Sequence, residues 1–157
     1  MEIKEIYEET VPSSRFIGKK NSDWGLFWEN GWSDILRKVE RKSILKIEGK
    51  SKFEYITMKR VVNEDEEYWV GTLFNPDTPV PEGLDFVDFE SFQTVVFKIY
   101  GNLKDELYGL ETHNQCLAKL SIQGFTPRED CWCIVRPCYS MRDSDRNVLM
   151  EYYISIE

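Results

Sequence analysis

The chain reads twice in the same order, and no other feature restricts its fold as much. A short strand-like piece, Phe16 to Lys20, leads to Asp23 at an N-cap position. Apolar residues then recur at Trp24, Phe27, Trp28, Trp32, Ile35, Leu36 and Val39, the spacing of one helical face. Two strands follow, Phe53 to Val62 and Glu67 to Phe74, joined by the acidic turn Asn63-Glu64-Asp65-Glu66. After a connector from Pro76 to Pro81 the order returns, with a strand from Thr94 to Tyr100 and a second helix. Leu103, Leu107, Leu110, Leu117 and Leu120 mark the stripe that this helix is expected to bury, and Gly124 is its stop. Strands from Trp132 to Tyr139 and from Val148 to Ile156 complete the repeat.

The two helices and the two closing strands are each displaced by about 80 residues, the period of a duplicated supersecondary unit rather than of a solenoid. A βαββ unit has too few elements to cover its own apolar face. The sequence therefore predicts one α+β domain over residues 1–157, with half-repeats at about 1–74 and 84–157. Together these make an antiparallel sheet with two helices packed on it and a ligand cleft between the halves.

Charge narrows the function classes. Twenty Lys and Arg against twenty-eight Asp and Glu give a formal net charge of −8, which repels phosphate backbones and anionic lipid headgroups. Direct nucleic-acid binding is not expected, and the residues before Trp24 are too few for a helix-turn-helix. No apolar run approaches the roughly 20 residues of a membrane span, and Met1-Glu2-Ile3-Lys4-Glu5 lacks the basic-then-apolar order of a signal peptide. A cytoplasmic location is expected.

Five Trp, eight Tyr and nine Phe make up 14% of the chain. Such rings either fill a core or form a cage, since ring faces attract cations and stack on flat molecules. Glu151 stands out among them. In Val148 to Ile156, Leu149, Glu151 and Tyr153 point one way, while Met150, Tyr152, Ile154 and Ile156 point the other. Glu151 is thus either an ordinary surface glutamate or the charge of an aromatic pocket. Trp69, Trp132, Tyr139, Tyr153 and Tyr108 are the candidate ring walls, although core packing competes for each ring taken alone. Phe27, Trp28 and Trp32 lie within the helix stripe and are assigned to core.

His113, the only histidine, is expected on a helix as a surface or flank residue, with no Ser or Cys nucleophile signature around it. Cys131 and Cys133, flanking Trp132, are expected to point to opposite faces, and with Cys138 they do not complete a metal site. Free thiols, no metal and no cofactor are the expectation. Gly18, Gly25 and Gly31 are isolated and form no phosphate loop.

The segments Tyr68-Trp69-Val70-Gly71-Thr72-Leu73-Phe74, Val80-Pro81-Glu82-Gly83-Leu84-Asp85-Phe86-Val87 and Tyr100-Gly101 stand in a fixed order with Trp32 and the ending Glu151-Tyr152-Tyr153-Ile154. In this the chain resembles the GyrI-like effector-binding domains, small-molecule sensors found alone or fused to bacterial transcription activators. It departs from their pattern at Glu90-Ser91-Phe92-Gln93, where an alanine-glycine pair is common, and at Ser155, where proline is common. The resemblance implies the duplicated architecture and a pocket glutamate at Glu151 that pairs with lipophilic cations. It also implies a stand-alone bacterial protein without a DNA-binding half, sensing or sequestering hydrophobic, cationic or zwitterionic, drug-like or toxic compounds in an aromatic pocket. Any part in transcription would be indirect, through a protein partner. Two other readings stay open: a cofactor-independent hydrolase of strained electrophilic natural products, using Glu151 with Tyr153, Tyr139 or Tyr108, and a protein inhibitor of a DNA topoisomerase.

Overall fold

The computed structural model describes residues 1–20, 35, 37–62, 65–102, 107, 110–138 and 147–157, without the side chains at 61, 62, 65 and 66. Among them are eight strands and one α-helix: β1 (Glu2–Val11), β2 (Ser14–Lys20), β3 (Ile56–Val62), β4 (Asp65–Phe74), β5 (Asp85–Phe89), β6 (Phe92–Asn102), α1 (Leu110–Ile122), β7 (Cys133–Cys138) and β8 (Asn147–Ser155). They form two compact units, a central one of residues 11–92 and a terminal one of residues 1–10 and 93–157.

The central unit orders its strands β3-β4-β2-β5, antiparallel throughout. On one sheet face Ile17, Val70 and Phe74 bury against Ile35, Val39 and Ile44. The Val39 N–H donates to the Ile35 carbonyl at 2.8 Å, a helical bond. Residues 35, 37 and 38 are helical, while the rest of the helix expected from Asp23 to Val39, at 23–34 and 36, lies outside the described residues. The opposite face buries Phe16, Met58, Trp69 and Leu73. There Gly18 and Gly71 sit directly opposite each other. A Cβ on Gly71 would come within 2.8 Å of both the Gly18 Cα and the Phe16 ring, so the strand pair approaches at a distance that only glycine permits.

The terminal unit orders its strands β1-β6-β8-β7. One face carries a core of Val95, Phe97, Ile99, Val148, Met150, Tyr152, Ile154, Cys133 and Val135, closed by Leu107, Cys116 and Leu120. Helix α1 turns Thr112, Cys116 and Leu120 inward, a row spaced four apart. Leu110, expected on the buried stripe, is 57% exposed. It stands two positions before Thr112, roughly 200° round the helix, so the leucine spacing marked the wrong edge of the stripe. Leu117 is partly buried against the core, and Leu103 lies outside the described residues. The helix ends as expected at Gly124, with φ of 84°. Gly124 N–H bonds the Ser121 carbonyl and Phe125 N–H the Leu120 carbonyl, a Schellman closure.

The units share a register. Gly18 faces Gly71 as Lys98 faces Glu151, a shift of 80 from 18 to 98 and from 71 to 151. Ile56 faces Gly71 as Arg136 faces Glu151, the same shift from 56 to 136. In the central unit β5 lies beside β2, and in the terminal unit β1 lies beside β6.

Strand β1 was not anticipated. Its Ile3, Ile6 and Val11 are spread among Glu2, Glu5, Glu8 and Glu9, and glutamate is depleted in strands. The segment is exposed over much of its length and gains its place by lying beside β6.

Candidate functional site

Alternation along β8 sends Met150, Tyr152 and Ile154 into the helix-covered core and leaves Glu151 and Tyr153 on the other face, as the sequence predicts. That second face is also buried. Glu151 is 6% exposed and Tyr153 is fully buried. A carboxylate so placed needs compensation, and the described residues supply it from Arg136, Tyr153 and Tyr7 among others. Arg136 on β7, its register partner, donates from Nη1 to Oε1 at 2.9 Å. Tyr153 donates to Oε2 at 2.5 Å, and Tyr7 on β1 donates to the same oxygen at 3.2 Å. Glu151 is therefore not a lone carboxylate among apolar neighbours but the centre of a charge-assisted network.

The electrostatics follow from burial. Burial first, then the adjacent Glu151 charge, raises the Tyr153 hydroxyl far above the ordinary phenol value. The same causes in the same order raise Tyr7. Both phenols stay protonated and donate. Lys98, opposite Glu151 on β6, instead pairs with Glu5 at 3.2 Å and lies 5.6 Å from the Tyr7 ring centre. Arg136 also donates to Cys138 Sγ at 3.3 Å. Burial raises the Cys138 thiol against the opposing Arg136 charge.

Of the candidate ring walls, Tyr153 touches Glu151 directly. Trp132 is 7% exposed and, two positions before Ile134 and four before Arg136, falls on the Glu151 face by alternation. Trp69 belongs to the central unit, on the face that corresponds by register to that of Glu151. It is 8% exposed, packs edge-on to Phe16 at 6.1 Å, and donates Nε1–H to Glu67 at 2.6 Å. Burial would raise Glu67, but Trp69, Arg60 and Lys20 together hold it below the usual carboxylate value. Tyr108 and Tyr139 lie outside the described residues.

Tyr7, Arg136 and Lys98 were missed by the sequence reading. Tyr7 went with the unanticipated β1. Arg136 carried one signal, a single charge inside Cys-Ile-Val-Arg-Pro-Cys, but its pairing with Glu151 needs the β7–β8 register.

His113 is half-buried on the helix flank, as expected, and its Nδ1 lies 2.6 Å from the hydroxyl of the buried Tyr152. The expected opposite orientation of Cys131 and Cys133 is incorrect. Residues two apart share a strand face, and the two sulfurs are 4.0 Å apart. None of the four cysteines is in a disulfide. Among the described residues no cluster of three His, Cys, Asp or Glu side chains could hold a metal, and no helix is long and apolar enough to cross a membrane.

No family model and no curated protein matches the sequence, whereas solved structures do match. SAV2435, solved bound to tetraphenylphosphonium, is similar with a TM-score of 0.65 over 98% of this chain and 94% of that one, at 10% identity. The C-terminal domain of EcmrR gives a TM-score of 0.64 over 98% and 97%, at 9% identity. The fold is GyrI-like. A protein of Staphylococcus aureus MU50 shares it more loosely, with a TM-score of 0.56 over 98% of both chains at 12% identity. At such identities the likeness concerns the fold alone.

Proposed function

We propose that this GyrI-like chain is a small-molecule binding module that takes hydrophobic organic cations, with Glu151 as the charged anchor and Tyr153 and Trp132 among the ring walls. The observation that carries this reading is a carboxylate 6% exposed whose counter-ion, Arg136, keeps 27% of its side chain in contact with solvent. Arg136 acts as a resident cation that an incoming one displaces. A delocalised organic cation loses little on leaving water, so it competes with a guanidinium that can return to solvent. That SAV2435 holds tetraphenylphosphonium supports the ligand class.

The shared register supports reading the two units as copies of one βαββ unit. On that reading the anchor position holds Glu151 in one copy and Gly71 in the other, giving one charged anchor per chain.

The test is a tryptophan-fluorescence titration with tetraphenylphosphonium and with neutral triphenylphosphine oxide. Glu151→Gln is expected to weaken the cation by about tenfold or more, about 1.4 kcal/mol, and to leave the neutral compound nearly unchanged. Arg136→Met is expected to tighten the cation, because Glu151 then waits without its resident partner. Equal affinity of wild type and Glu151→Gln for the cation removes Glu151 from the site.

One contact favours a second reading as a hydrolase. The protonated Tyr153 hydroxyl at 2.5 Å from the carboxylate pairs an acid with a base without any cofactor. Turnover of strained electrophiles, followed by mass spectrometry and abolished in Glu151→Gln, is the outcome that reading requires.

A further inference from the structure

Away from Glu151, on the helix-covered side of the terminal unit, lies a second constellation of reactive groups that the binding reading does not use. Cys131 and Cys133 bring their sulfurs to 4.0 Å. Cys133 is 1% exposed, while Cys131 is half-buried and keeps part of its surface in solvent. The Cys131 sulfur also lies 3.9 Å from the Ser155 carbonyl. The Tyr152 hydroxyl hydrogen-bonds Cys133 and meets His113 Nδ1 at 2.6 Å. A chain of polar contacts thus runs from half-buried His113 through a buried phenol to a buried thiol, and from there to a half-buried one.

We propose that Cys131 and Cys133 form a peroxide-reactive dithiol, with Cys131 as the attacking sulfur and Cys133 as the resolving one. The oxidant is a hydroperoxide. The Cys131 thiolate attacks its distal oxygen; an S–O bond forms, the O–O bond breaks, and the alkoxide or hydroxide released takes a proton from water. The Cys133 sulfur then attacks the sulfenic acid. The S–S bond forms, the S–O bond breaks, and the departing hydroxide leaves as water with the Cys133 proton. A small-molecule thiol returns the pair to its reduced state by exchange.

Three features support the assignment. The sulfurs must close from 4.0 Å to about 2.05 Å, and Cys131 lies ahead of the β7 ladder, which begins at Cys133, so its side chain can turn without breaking a ladder hydrogen bond of β7. The hydrogen bond with Cys133 pulls the Cys131 thiol down to about 7 against the raising effect of its own burial and of Asp130, which puts a large share of thiolate at neutral pH. The other half-buried thiol, Cys138, is raised by burial, so the chain carries an internal control of comparable exposure and opposite reactivity.

The experiment uses the full chain, fully reduced, then treated with excess hydrogen peroxide and analysed by thiol counting and peptide mass mapping. The expected result is loss of two of the four thiols within one monomer, with the lost pair in a single peptide containing Cys131, Trp132 and Cys133. Cys133→Ser is expected to stop at a sulfenic acid on Cys131, trapped by a cyclic 1,3-diketone. Within the unmodified wild type, brief alkylation at neutral pH is expected to label Cys131 at least about tenfold faster than Cys138, the gain in thiolate fraction exceeding the loss in intrinsic nucleophilicity. Equal labelling of Cys131 and Cys138, retention of four thiols after peroxide, or a disulfide joining any other pair overturns the proposal. None of these results depends on ligand binding at Glu151, so the two readings fail separately.

Discussion

Replacing Glu151 by Gln tests the network at its centre. Gln keeps the shape and one acceptor oxygen, which serves Tyr153 or Tyr7. Its amide nitrogen cannot accept the 2.9 Å bond from Arg136 and places a donor against a donor. Breaking a fully buried ion pair from one side costs about 3–5 kcal/mol. Arg136 keeps 27% of its side chain exposed, so water recovers part of that, and a charge-assisted bond in such a setting is worth about 1.5–3 kcal/mol. The expected loss is therefore about 2–3 kcal/mol. At about 2–4 °C per kcal/mol for a chain of this size, Tm should fall by roughly 4–12 °C. Arg136→Met removes the other partner while keeping an apolar stem. In urea unfolding, the double variant Glu151→Gln with Arg136→Met should lose less than the sum of the two singles, with a coupling of about 1–3 kcal/mol. A coupling below about 0.5 kcal/mol, or a Glu151→Gln protein as stable as wild type, would mean that no ion pair exists in solution and would refute the argument. A lone buried carboxylate makes the opposite prediction, since neutralising it stabilises the fold.

Gly71→Ala should destabilise by more than about 2 kcal/mol, because its methyl would enter the Gly18 backbone and the Phe16 ring. Denaturant midpoints near wild type would show that β2 and β4 part without cost. The Cys131 thiol should alkylate with a pH midpoint near 7 in the native chain and near the ordinary cysteine value after unfolding. Because the native value is the lower one, the stabilisation from this thiolate is present above the unfolded pKa and fades as pH falls through about 7; an alkylation midpoint near 9 in the native chain contradicts this.

Much of the fold was legible because periodicity reports burial directly. The alternation of Glu151 and Tyr153 against Met150 and Tyr152, the strands around Gly71 and Tyr100, and the Gly124 stop all follow from local rules that hold whatever the rest of the chain does. Local rules fail where partners are distant. Nothing near Tyr7 distinguishes an acidic strand from an acidic tail, since β1 is specified by its neighbour β6, more than eighty positions away along much of its length. The leucine at 110 looked buried because it is a leucine, while the helix turned Thr112 inward instead.

The sequence by itself determined the places of β2, β3, β4, β6, β7 and β8, the Gly124 stop and the face on which Glu151 lies, because side-chain alternation and helical pitch are properties of the backbone. Only the tertiary structure decided the company that Glu151 keeps. Arg136 and Tyr153 reach it across and along the β7–β8 ladder, and Tyr7 reaches it from a strand 144 positions earlier. Whether a buried carboxylate is bare or compensated depends on those distances, which fall off within a few ångströms in space and have no expression in sequence separation.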